Sequence, residues 1–215
     1  MSINRREFLR SASGLLLAGS AGGLVYPAMA WADANIPVFP EYYTYTGSYP
    51  DIHPDTYRLQ TAGLIHKPQV FTLPDLYQLG KDQEIKTFHC VTGWIVNNVH
   101  WQGIALSRFL NLLEPQPSAR YVAFYSADGV YVDSLSLDQA RAPGVILATH
   151  ISGQPLLRKG GYPLRLLVPQ MYGYKSVKWV NRIVLDSTRP QGTWEKDGYA
   201  NNAYIKKGFS FMDLL

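Results

Sequence analysis

Short segments that alternate apolar and polar residues follow one another in pairs along this chain of 215 residues. Residues 121–126 alternate at period two, Asp128-Gly129 is a hairpin-turn sequence, and a second alternating segment covers 130–137. The same reasoning predicts further strands over 56–61, 84–91, 144–149, 164–168 and 177–185. Because strands outnumber helices and do not alternate strictly with them, the pattern predicts an α+β domain that is mostly β-sheet.

Two short helices are predicted between these strands. A threonine followed by an early proline predicts a helix over 71–79 that ends at Gly80. Apolar residues at spacings of three, four and seven from Leu106 to Leu113 predict a second helix, which Pro115 ends. The apolar stripe of this second helix is expected to lie in the core.

The composition is that of a globular protein, with 47% hydrophobic and 17% charged residues. Residues 33–54 are rich in proline and tyrosine and lack a period, which predicts an extended segment on the domain surface. Residues 187–215 are polar and aromatic without a period, which predicts a tail that packs over the domain. The length suits one domain over 33–215.

The first 32 residues have the composition of an export signal. Paired arginines at Arg5 and Arg6 precede a weakly apolar segment, and small-x-small sequences end at Ala30 and Ala32, the two candidate cleavage sites. Glycines in the apolar segment argue against the alternative, an N-terminal membrane anchor. We therefore expect export by the twin-arginine route, a periplasmic location and a mature chain over 33–215 without a stable membrane span.

Several functional classes lack their sequence signals. The formal charge is +4, of which the first 32 residues contribute +2, and no run of lysine and arginine with interleaved aromatic residues occurs. Nucleic-acid binding is therefore not expected. The five histidines are scattered without zinc-ligand spacing. Neither a Gly-x-Ser-x-Gly elbow nor a Gly-x-Gly-x-x-Gly turn occurs, so the common hydrolase and dinucleotide signals are missing.

Cys90 is the single cysteine of the chain. A thiol without a possible intramolecular disulfide partner is either an inert core residue or a site of thiolate chemistry. The predicted strand over 84–91 delivers Cys90 to its end, where a rigid element fixes the residue and the following loop leaves it accessible. The expected export of a protein that has no disulfide favours the second alternative. In that alternative, the thiolate binds a metal that is loaded before export.

Several blocks of the sequence resemble the molybdenum-cofactor domain of the sulfite oxidase family. They are Cys-Val-Thr-Gly-Trp at 90–94, Trp-Gln-Gly at 101–103, Gly-Tyr-Pro-Leu-Arg-Leu at 161–166, Tyr-Gly-Tyr-Lys-Ser-Val-Lys-Trp at 172–179, and Trp-Glu with Gly-Tyr within 194–199. The blocks occur in the family's order over about residues 40 to 205. The resemblance is closest to the exported single-domain members, such as the catalytic subunits of periplasmic methionine sulfoxide reductases.

This resemblance implies a molybdenum-molybdopterin cofactor with Cys90 as the metal ligand and catalytic residue. A soft thiolate suits a metal that cycles between oxidation states, and a pterin phosphate needs a fixed anion site, for which Arg165 and Lys178 are suited. By position in the family's motifs, the expected cofactor-binding residues are Ser126, Arg165, Ser176, Val177 and Lys178. Three further candidates come from the residues themselves: Tyr42 and Tyr43 either reach into the site or simply pack, and Gly160 allows the backbone to approach the ligand closely. Without the resemblance, Arg165 and Lys178 would be interpreted as ordinary surface charges.

The sequence also departs from the family. Gly160 stands where the exported reductases often have asparagine, so a side-chain contact to the pterin is not available there. The chain is too short for the C-terminal dimerisation domain of the sulfite oxidases, and it has no Cys-x-x-Cys-His haem motif. Electrons are therefore expected to pass through a partner.

The resemblance implies an oxygen-atom-transfer oxidoreductase that reduces a sulfoxide-type small molecule with electrons from a membrane haem protein. One alternative is a dehydrogenase of sulfite or a related anion that passes electrons to a cytochrome. Arg141, Arg158 and Lys159 are then candidates for anion attraction. An alternative of another class is a periplasmic binding module that keeps the fold without the cofactor.

Overall fold

Two β-sheets dominate the computed structural model, which describes Pro37 and residues 39–206. All of these residues belong to one compact unit. The predicted signal peptide over 1–32, with its two candidate cleavage sites, and the end of the predicted tail over 207–215 lie outside the described residues. None of the described helices is both long enough and apolar enough to cross a membrane.

The first sheet has five strands in the order β2-β1-β10-β5-β6. They are β1 (Arg58–Gly63), β2 (Val70–Thr72), β5 (Tyr121–Ser126), β6 (Val132–Ser136) and β10 (Val180–Asp186). Strands β1 and β10 pair in parallel, and the other pairs are antiparallel. The predicted hairpin is confirmed, since β5 and β6 are adjacent and joined at the expected turn.

The second sheet is antiparallel and has the order β3-β4-β7-β8, with β9 also paired to β7. Its strands are β3 (Asp82–His89), β4 (Ile95–Ala105), β7 (Ile146–Ile151), β8 (Gln154–Pro155) and β9 (Arg165–Leu167). The 11-residue strand β4 was not predicted. Polar residues break its alternation, and Asn98 within it has a φ of +54°.

Both predicted helices are present. Helix α1 (Leu73–Leu79) is capped by Thr72, whose side chain accepts a hydrogen bond from Asp75 N, and Gly80 follows its last residue. Helix α2 (Leu106–Leu113) buries the predicted apolar stripe completely in the larger hydrophobic core.

Two further helices of four residues were not predicted. They are α3 (Leu137–Ala140), capped by Ser136, and α4 (Thr193–Lys196). Helix α4 lies in the tail that lacked a period, because a single helical turn is too short to show one. Short 3₁₀ turns at Arg158–Gly160 and Gly173–Lys175 precede the strands β9 and β10.

A second, smaller hydrophobic cluster lies on the sheet that contains β3 and β4. Its buried members include Phe39, Phe88, Trp101 and Leu167. Phe39 comes from the extended segment before β1, so this segment is anchored in the core and does not only cover the surface. The cluster borders a pocket, since Phe39 and Phe88 also line it.

Candidate active site

Cys90 begins the loop that joins β3 to β4. The Cys90 N–H donates to Trp94 O at 2.9 Å, and Gly93 N–H donates to Cys90 O at 3.1 Å. Gly93 has a φ of +99°, the left-handed conformation that closes the tight turn of this loop. Strand β3 therefore ends at His89, one residue before the thiol, and a tight hairpin fixes the Cys90 backbone.

The Cys90 thiol is free and faces a pocket. Its Sγ accepts a hydrogen bond from Thr92 Oγ1 at 3.1 Å. The other end of the hairpin loop brings Trp94 to the same pocket, where its ring stacks on Phe88 with centroids 5.7 Å apart. The thiol is thus oriented by a hydroxyl within its own loop and lies beside an apolar floor.

Arg165 is the first residue of β9, and only 3% of it is exposed. The guanidinium donates to Gly160 O at 2.9 Å and to Ser176 O at 3.3 Å, and it lies 5.3 Å from the ring centroids of Phe88 and Trp101. No carboxylate of the described residues forms an ion pair with it. Burial lowers the pKa of Arg165 to about 10, so the group stays charged at neutral pH.

Lys178 adds a second positive charge on the same side of the pocket. Its Nζ donates to Tyr43 O and lies 4.6 Å from the centroid of the Trp179 ring. Burial first, and then the charge of Arg165, lower the pKa of Lys178 to about 7. Interpreting Arg165 as an ordinary surface charge is therefore wrong, because it is buried and lacks an acidic ion-pair partner among the described residues. Lys178 also lacks such a partner there, but it is only half-buried.

The loop between β9 and β10 presents Ser176 and Val177 next to Lys178. Ser176 Oγ accepts from Val168 N at 3.0 Å, and Val177 O accepts from Leu166 N at 2.8 Å. These bonds hold the loop against β9. The strand predicted over 177–185 begins only at Val180, because the residue before it has a φ of +53° and interrupts the extended backbone.

Eight of the nine predicted site residues line one pocket of about 250 Å³. They are Tyr42, Tyr43, Cys90, Ser126, Arg165, Ser176, Val177 and Lys178. Gly160 does not line the pocket, but its carbonyl oxygen accepts the hydrogen bond from Arg165 described above. Ser126 is the last residue of β5 and is buried, with Oγ accepting from Asp128 N at 3.3 Å.

The candidates for anion attraction are not equivalent. Lys159 Nζ lies 4.8 Å from the centroid of the Tyr42 ring, which lines the pocket. Arg158 donates to the carbonyl oxygens of Tyr49 and Pro50 and so holds the N-terminal segment. Arg141 does not line the pocket, and it donates to the Asn111 side chain at 2.8 Å.

Aromatic residues on one side of the pocket were not predicted as site residues. Tyr45, Trp194 and Tyr199 line the pocket from the segments before β1 and after β10, together with Tyr131 and Tyr174. Trp194 and Tyr199 belong to blocks of the family resemblance, but no pattern in the sequence assigns them to the pocket. The available signal was the repeated occurrence of aromatic residues in segments that lack a period.

A buried ion cluster behind this side was also not predicted. Lys175 is 1% exposed, and its Nζ contacts both Asp133 Oδ1 and Glu195 Oε1, the latter at 2.5 Å. Asp133 comes from β6 and Glu195 from α4, so the cluster joins the first sheet to the tail. Burial raises the pKa of Asp133 to about 7, against the opposing effect of the Lys175 charge.

The donor set fits an anionic cofactor that also needs a sulfur ligand. Two cations without acidic ion-pair partners among the described residues lie in the same pocket as the thiol. A buried guanidinium and an ammonium provide the charge and the hydrogen-bond donors that a phosphate requires. A thiolate is a soft ligand suited to a redox-active metal.

Comparison with protein families identifies the family to which this fold belongs. Residues 46–194 match the family model described as the oxidoreductase molybdopterin binding domain. The chain belongs to this family. It is therefore a molybdopterin-binding type of oxidoreductase, and the predicted sulfite-oxidase-type fold is confirmed.

Two related proteins show how far the similarity extends. The chain is 32% identical over 158 residues to the protein-methionine-sulfoxide reductase catalytic subunit of Ralstonia nicotianae, covering 66% of this chain and 47% of that protein. It is 31% identical over 156 residues to an uncharacterized oxidoreductase of Bacillus subtilis, covering 72% of this chain and 78% of that one. The chain thus spans about half the length of the reductase subunit that it matches.

Among solved structures, the sulfane dehydrogenase SoxCD of Paracoccus pantotrophus has the same fold. The TM-score is 0.62 at 25% sequence identity, and the match covers 67% of this chain and 42% of that chain. The reductase subunit and the sulfane dehydrogenase are both named for reactions of sulfur compounds.

Proposed function

We propose that this chain binds molybdenum-molybdopterin, with Cys90 as the protein ligand of the metal and Arg165 and Lys178 as the phosphate-binding residues. The observation that carries this proposal is the buried Arg165, which faces the Cys90 pocket without a carboxylate among the described residues to neutralise it. An unpaired buried cation is costly to a folded protein, and an anionic ligand removes that cost.

Each predicted residue has a role that follows from its contacts. Arg165 is fixed by the carbonyl oxygens of Gly160 and Ser176, so its remaining donors are oriented before a ligand arrives. Ser126 and Val177 line the pocket on the side of the cations. Tyr42 and Tyr43 line it from the N-terminal segment. When bound, the cofactor supplies two-electron oxygen-atom transfer, which the protein side chains cannot perform.

The reaction that we propose is the reduction of a sulfoxide-type small molecule. The sulfur–oxygen bond breaks, two electrons and two protons are consumed, and a sulfide and one water molecule are released. The support is the similarity to a protein-methionine-sulfoxide reductase catalytic subunit over about two thirds of this chain. The apolar and aromatic lining of the pocket fits a substrate with methyl or methylene groups next to the sulfur.

The electrons would come from a haem-containing partner, as a membrane subunit or a cytochrome, because the sequence has no haem-attachment motif. We also propose that residues 1–32 direct twin-arginine export, so that the mature chain works in the periplasm. The twin-arginine route exports folded proteins, which agrees with a cofactor that is loaded before export.

The second candidate function is dehydrogenation of sulfite or a related sulfur anion, with electrons passed to a cytochrome. It is favoured by the structural similarity to a sulfane dehydrogenase and by the positive charges of Arg165 and Lys178 in the pocket. A cofactor-free binding module is disfavoured, since such a module has no need for a buried, unpaired arginine and a half-buried lysine beside a thiol.

Dye-linked assays of the loaded protein distinguish these functions. With one-electron-reduced viologen dye, we expect methyl phenyl sulfoxide to be converted to the sulfide, with two dye molecules oxidised for each sulfide formed. Activity only with sulfite and an oxidised dye would favour the second candidate. No activity in either direction, from protein that contains molybdenum, would contradict both candidates.

A further inference from the structure

Four aromatic rings form a continuous wall along one side of the pocket. The ring centroids of Tyr45 and Trp194 are 5.1 Å apart, those of Trp194 and Tyr199 are 5.2 Å apart, and those of Tyr199 and Tyr174 are 5.3 Å apart. All four residues line the pocket. None of them lies in a strand of either sheet, so the wall is built by the connecting and terminal segments.

Buried and paired polar groups hold part of the wall, although it lies outside the sheets. Glu195, next to Trp194 in the chain, contacts the Lys175 ammonium at 2.5 Å, and Lys175 directly follows Tyr174. Tyr174 also donates its hydroxyl to Ala200 O at 2.8 Å. The segment that carries Trp194 is therefore attached to the segment that carries Tyr174 by a buried ion pair and a hydrogen bond. A preformed binding surface requires such attachment.

The lining of the pocket contains equal numbers of basic and acidic residues. The basic lining residues are Arg165 and Lys178, and the acidic lining residues are Glu41 and Asp128. A further carboxylate, Asp197, accepts a hydrogen bond from the Tyr45 hydroxyl at 3.2 Å at the wall itself. A bound phosphate carries about two negative charges and neutralises the two cations. What remains on the described surface of the loaded pocket is then acidic.

We infer that this wall is the specificity surface of the pocket, with Trp194, Tyr199 and Tyr45 in contact with the substrate, and that it selects neutral, polarisable substrates over oxyanions. This inference rests on the proposed function and deepens it. Aromatic faces attract apolar and sulfur-containing groups. The carboxylates Glu41 and Asp197 repel an anion that approaches along the wall, while an uncharged sulfoxide pays no such cost.

A matched pair of ligands tests the charge selection. Methyl phenyl sulfoxide and 4-(methylsulfinyl)benzoate differ by one carboxylate. Without a reductant there is no turnover, so quenching of tryptophan fluorescence in the cofactor-loaded protein measures binding alone. We expect the neutral sulfoxide to bind about tenfold more tightly than the carboxylate. Equal or tighter binding of the carboxylate would overturn the inference.

Charge reversal at the pocket gives a sharper test. Glu41→Lys is expected to reduce the preference for the neutral ligand about fivefold, because one repulsive charge becomes attractive. Asp55→Lys is the matched control, since Asp55 is exposed and does not line the pocket. It changes the net charge by the same amount and should leave the preference unchanged. An equal effect of both variants would show that net charge, and not the wall, sets the preference.

Truncation tests the aromatic contacts. Trp194→Ala is expected to weaken binding of methyl phenyl sulfoxide about five- to tenfold at unchanged pterin content. Because Trp194 is next to Glu195 of the buried ion cluster, Tyr45→Ala is the second variant, which removes an exposed ring from a loop. With Tyr45→Ala, about threefold weaker binding is expected. Unchanged affinity in both folded variants would overturn the inference.

The outcomes separate this inference from the proposed function. If the pocket prefers the neutral ligand but the reduced enzyme does not convert it, the proposed function is wrong and the selectivity stands. If sulfoxides are reduced but the two ligands are turned over and bound equally well, the proposed function stands and the inference is wrong.

Discussion

At the scale of single residues, Cys90 combines three properties. It is the single cysteine, its backbone is fixed in a hairpin loop, and its thiol lines the pocket that contains Arg165 and Lys178. The distribution of roles among these residues makes the effects of substitution separable. The cations would hold the cofactor by its phosphate, while the thiol would act on the metal.

Cys90→Ser is therefore expected to retain most of the pterin but to lose at least about a hundredfold in sulfoxide turnover, because a hydroxyl is a much poorer soft-metal ligand. Fluorescence of the released pterin measures the first quantity, and the viologen assay measures the second. Thr92→Val is the control, since it keeps the thiol and removes only the 3.1 Å hydrogen bond to it. Full activity of Cys90→Ser would refute the ligand assignment.

Lys178 predicts a pH dependence of anion binding. Burial and the charge of Arg165 lower the pKa of Lys178 from 10.5 to about 7. Since a bound anion favours the charged lysine, binding of an anion above pH 7 requires proton uptake. We expect the affinity of the cofactor-free protein for sulfate, whose charge is constant in this range, to fall as pH rises from about 6 to about 9.

Isothermal titration calorimetry measures this dependence directly. Lys178→Met should bind sulfate more weakly and without the pH dependence, because Arg165 remains charged throughout the range. The lowered pKa of Lys178 also affects stability. Between about pH 7 and 10.5 the unfolded state keeps the Lys178 proton and the folded state has released it. The contribution of Lys178 to the free energy of unfolding therefore rises with pH through this window. A pH-independent affinity of the wild-type protein would contradict the proposed role of Lys178 in anion binding.

At the scale of elements, the pocket lies where the β3–β4 hairpin meets the segments before β9 and β10. Within the segment before β9, Gly161 lies close to both cations. It has a φ of +112°, and a Cβ added there would lie 2.9 Å from Arg165 Cβ and 3.2 Å from Lys178 Cβ. A side chain at this position would push apart the two cations of the proposed anion site.

Gly161→Ala is expected to cost about 2–3 kcal/mol of folding free energy and to lower the pterin content. Gly47→Ala is the matched control, because Gly47 has a φ of +72° but no atom within 4 Å of an added Cβ. It should cost only about 1 kcal/mol and leave the pterin content unchanged. Urea denaturation measures both costs. Equal costs would mean that the close approach to Arg165 and Lys178 contributes nothing.

The strands and helices were predictable where a local pattern specifies them. The β5–β6 hairpin, the capped helix α1 and the apolar stripe of α2 follow from turn residues, caps and periodicity that act within a few positions. Strand β4 was not predictable in this way, because its polar residues and the positive φ of Asn98 interrupt the alternation. Its pairing with β3 and β7 stabilises it across the sheet instead.

The site was predictable where the family's motifs reach it. Cys90, Arg165 and Lys178 come from motif blocks, and the structure brings them to one pocket. The tail residues Trp194 and Tyr199 were not assigned to the pocket, because their position depends on the contact of Glu195 with a lysine 20 residues earlier. A long-range ion pair has no local sequence signal.

At the scale of the whole molecule, the buried cluster of Lys175, Asp133 and Glu195 joins the first sheet, the loop between β9 and β10, and the tail. Lys175→Met should destabilise the protein by about 3–5 kcal/mol, because two buried carboxylates then lose their cation. Urea denaturation measures the loss. In the triple variant with Asp133→Asn and Glu195→Gln, most of the stability should return. A Lys175→Met protein as stable as the wild type would contradict a structural role for the cluster.

The same cluster predicts how stability depends on pH. Burial raises the pKa of Asp133 from 3.8 to about 7. The folded state therefore holds a proton that the unfolded state has released between these values, so the contribution of Asp133 to stability falls as pH rises through this window. The thermal midpoint of Asp133→Asn should lack this fall. Parallel pH profiles of the variant and the wild type would contradict the raised pKa.

The fold, the ion cluster and the pocket together support one central claim, that this protein carries molybdenum-molybdopterin at Cys90. The most direct test is the molybdenum and pterin content of the wild-type protein, purified from cells in which a control molybdoenzyme is fully loaded. We predict about one molybdenum and one pterin per chain. Folded protein that contains neither, from the same cells, would contradict the claim.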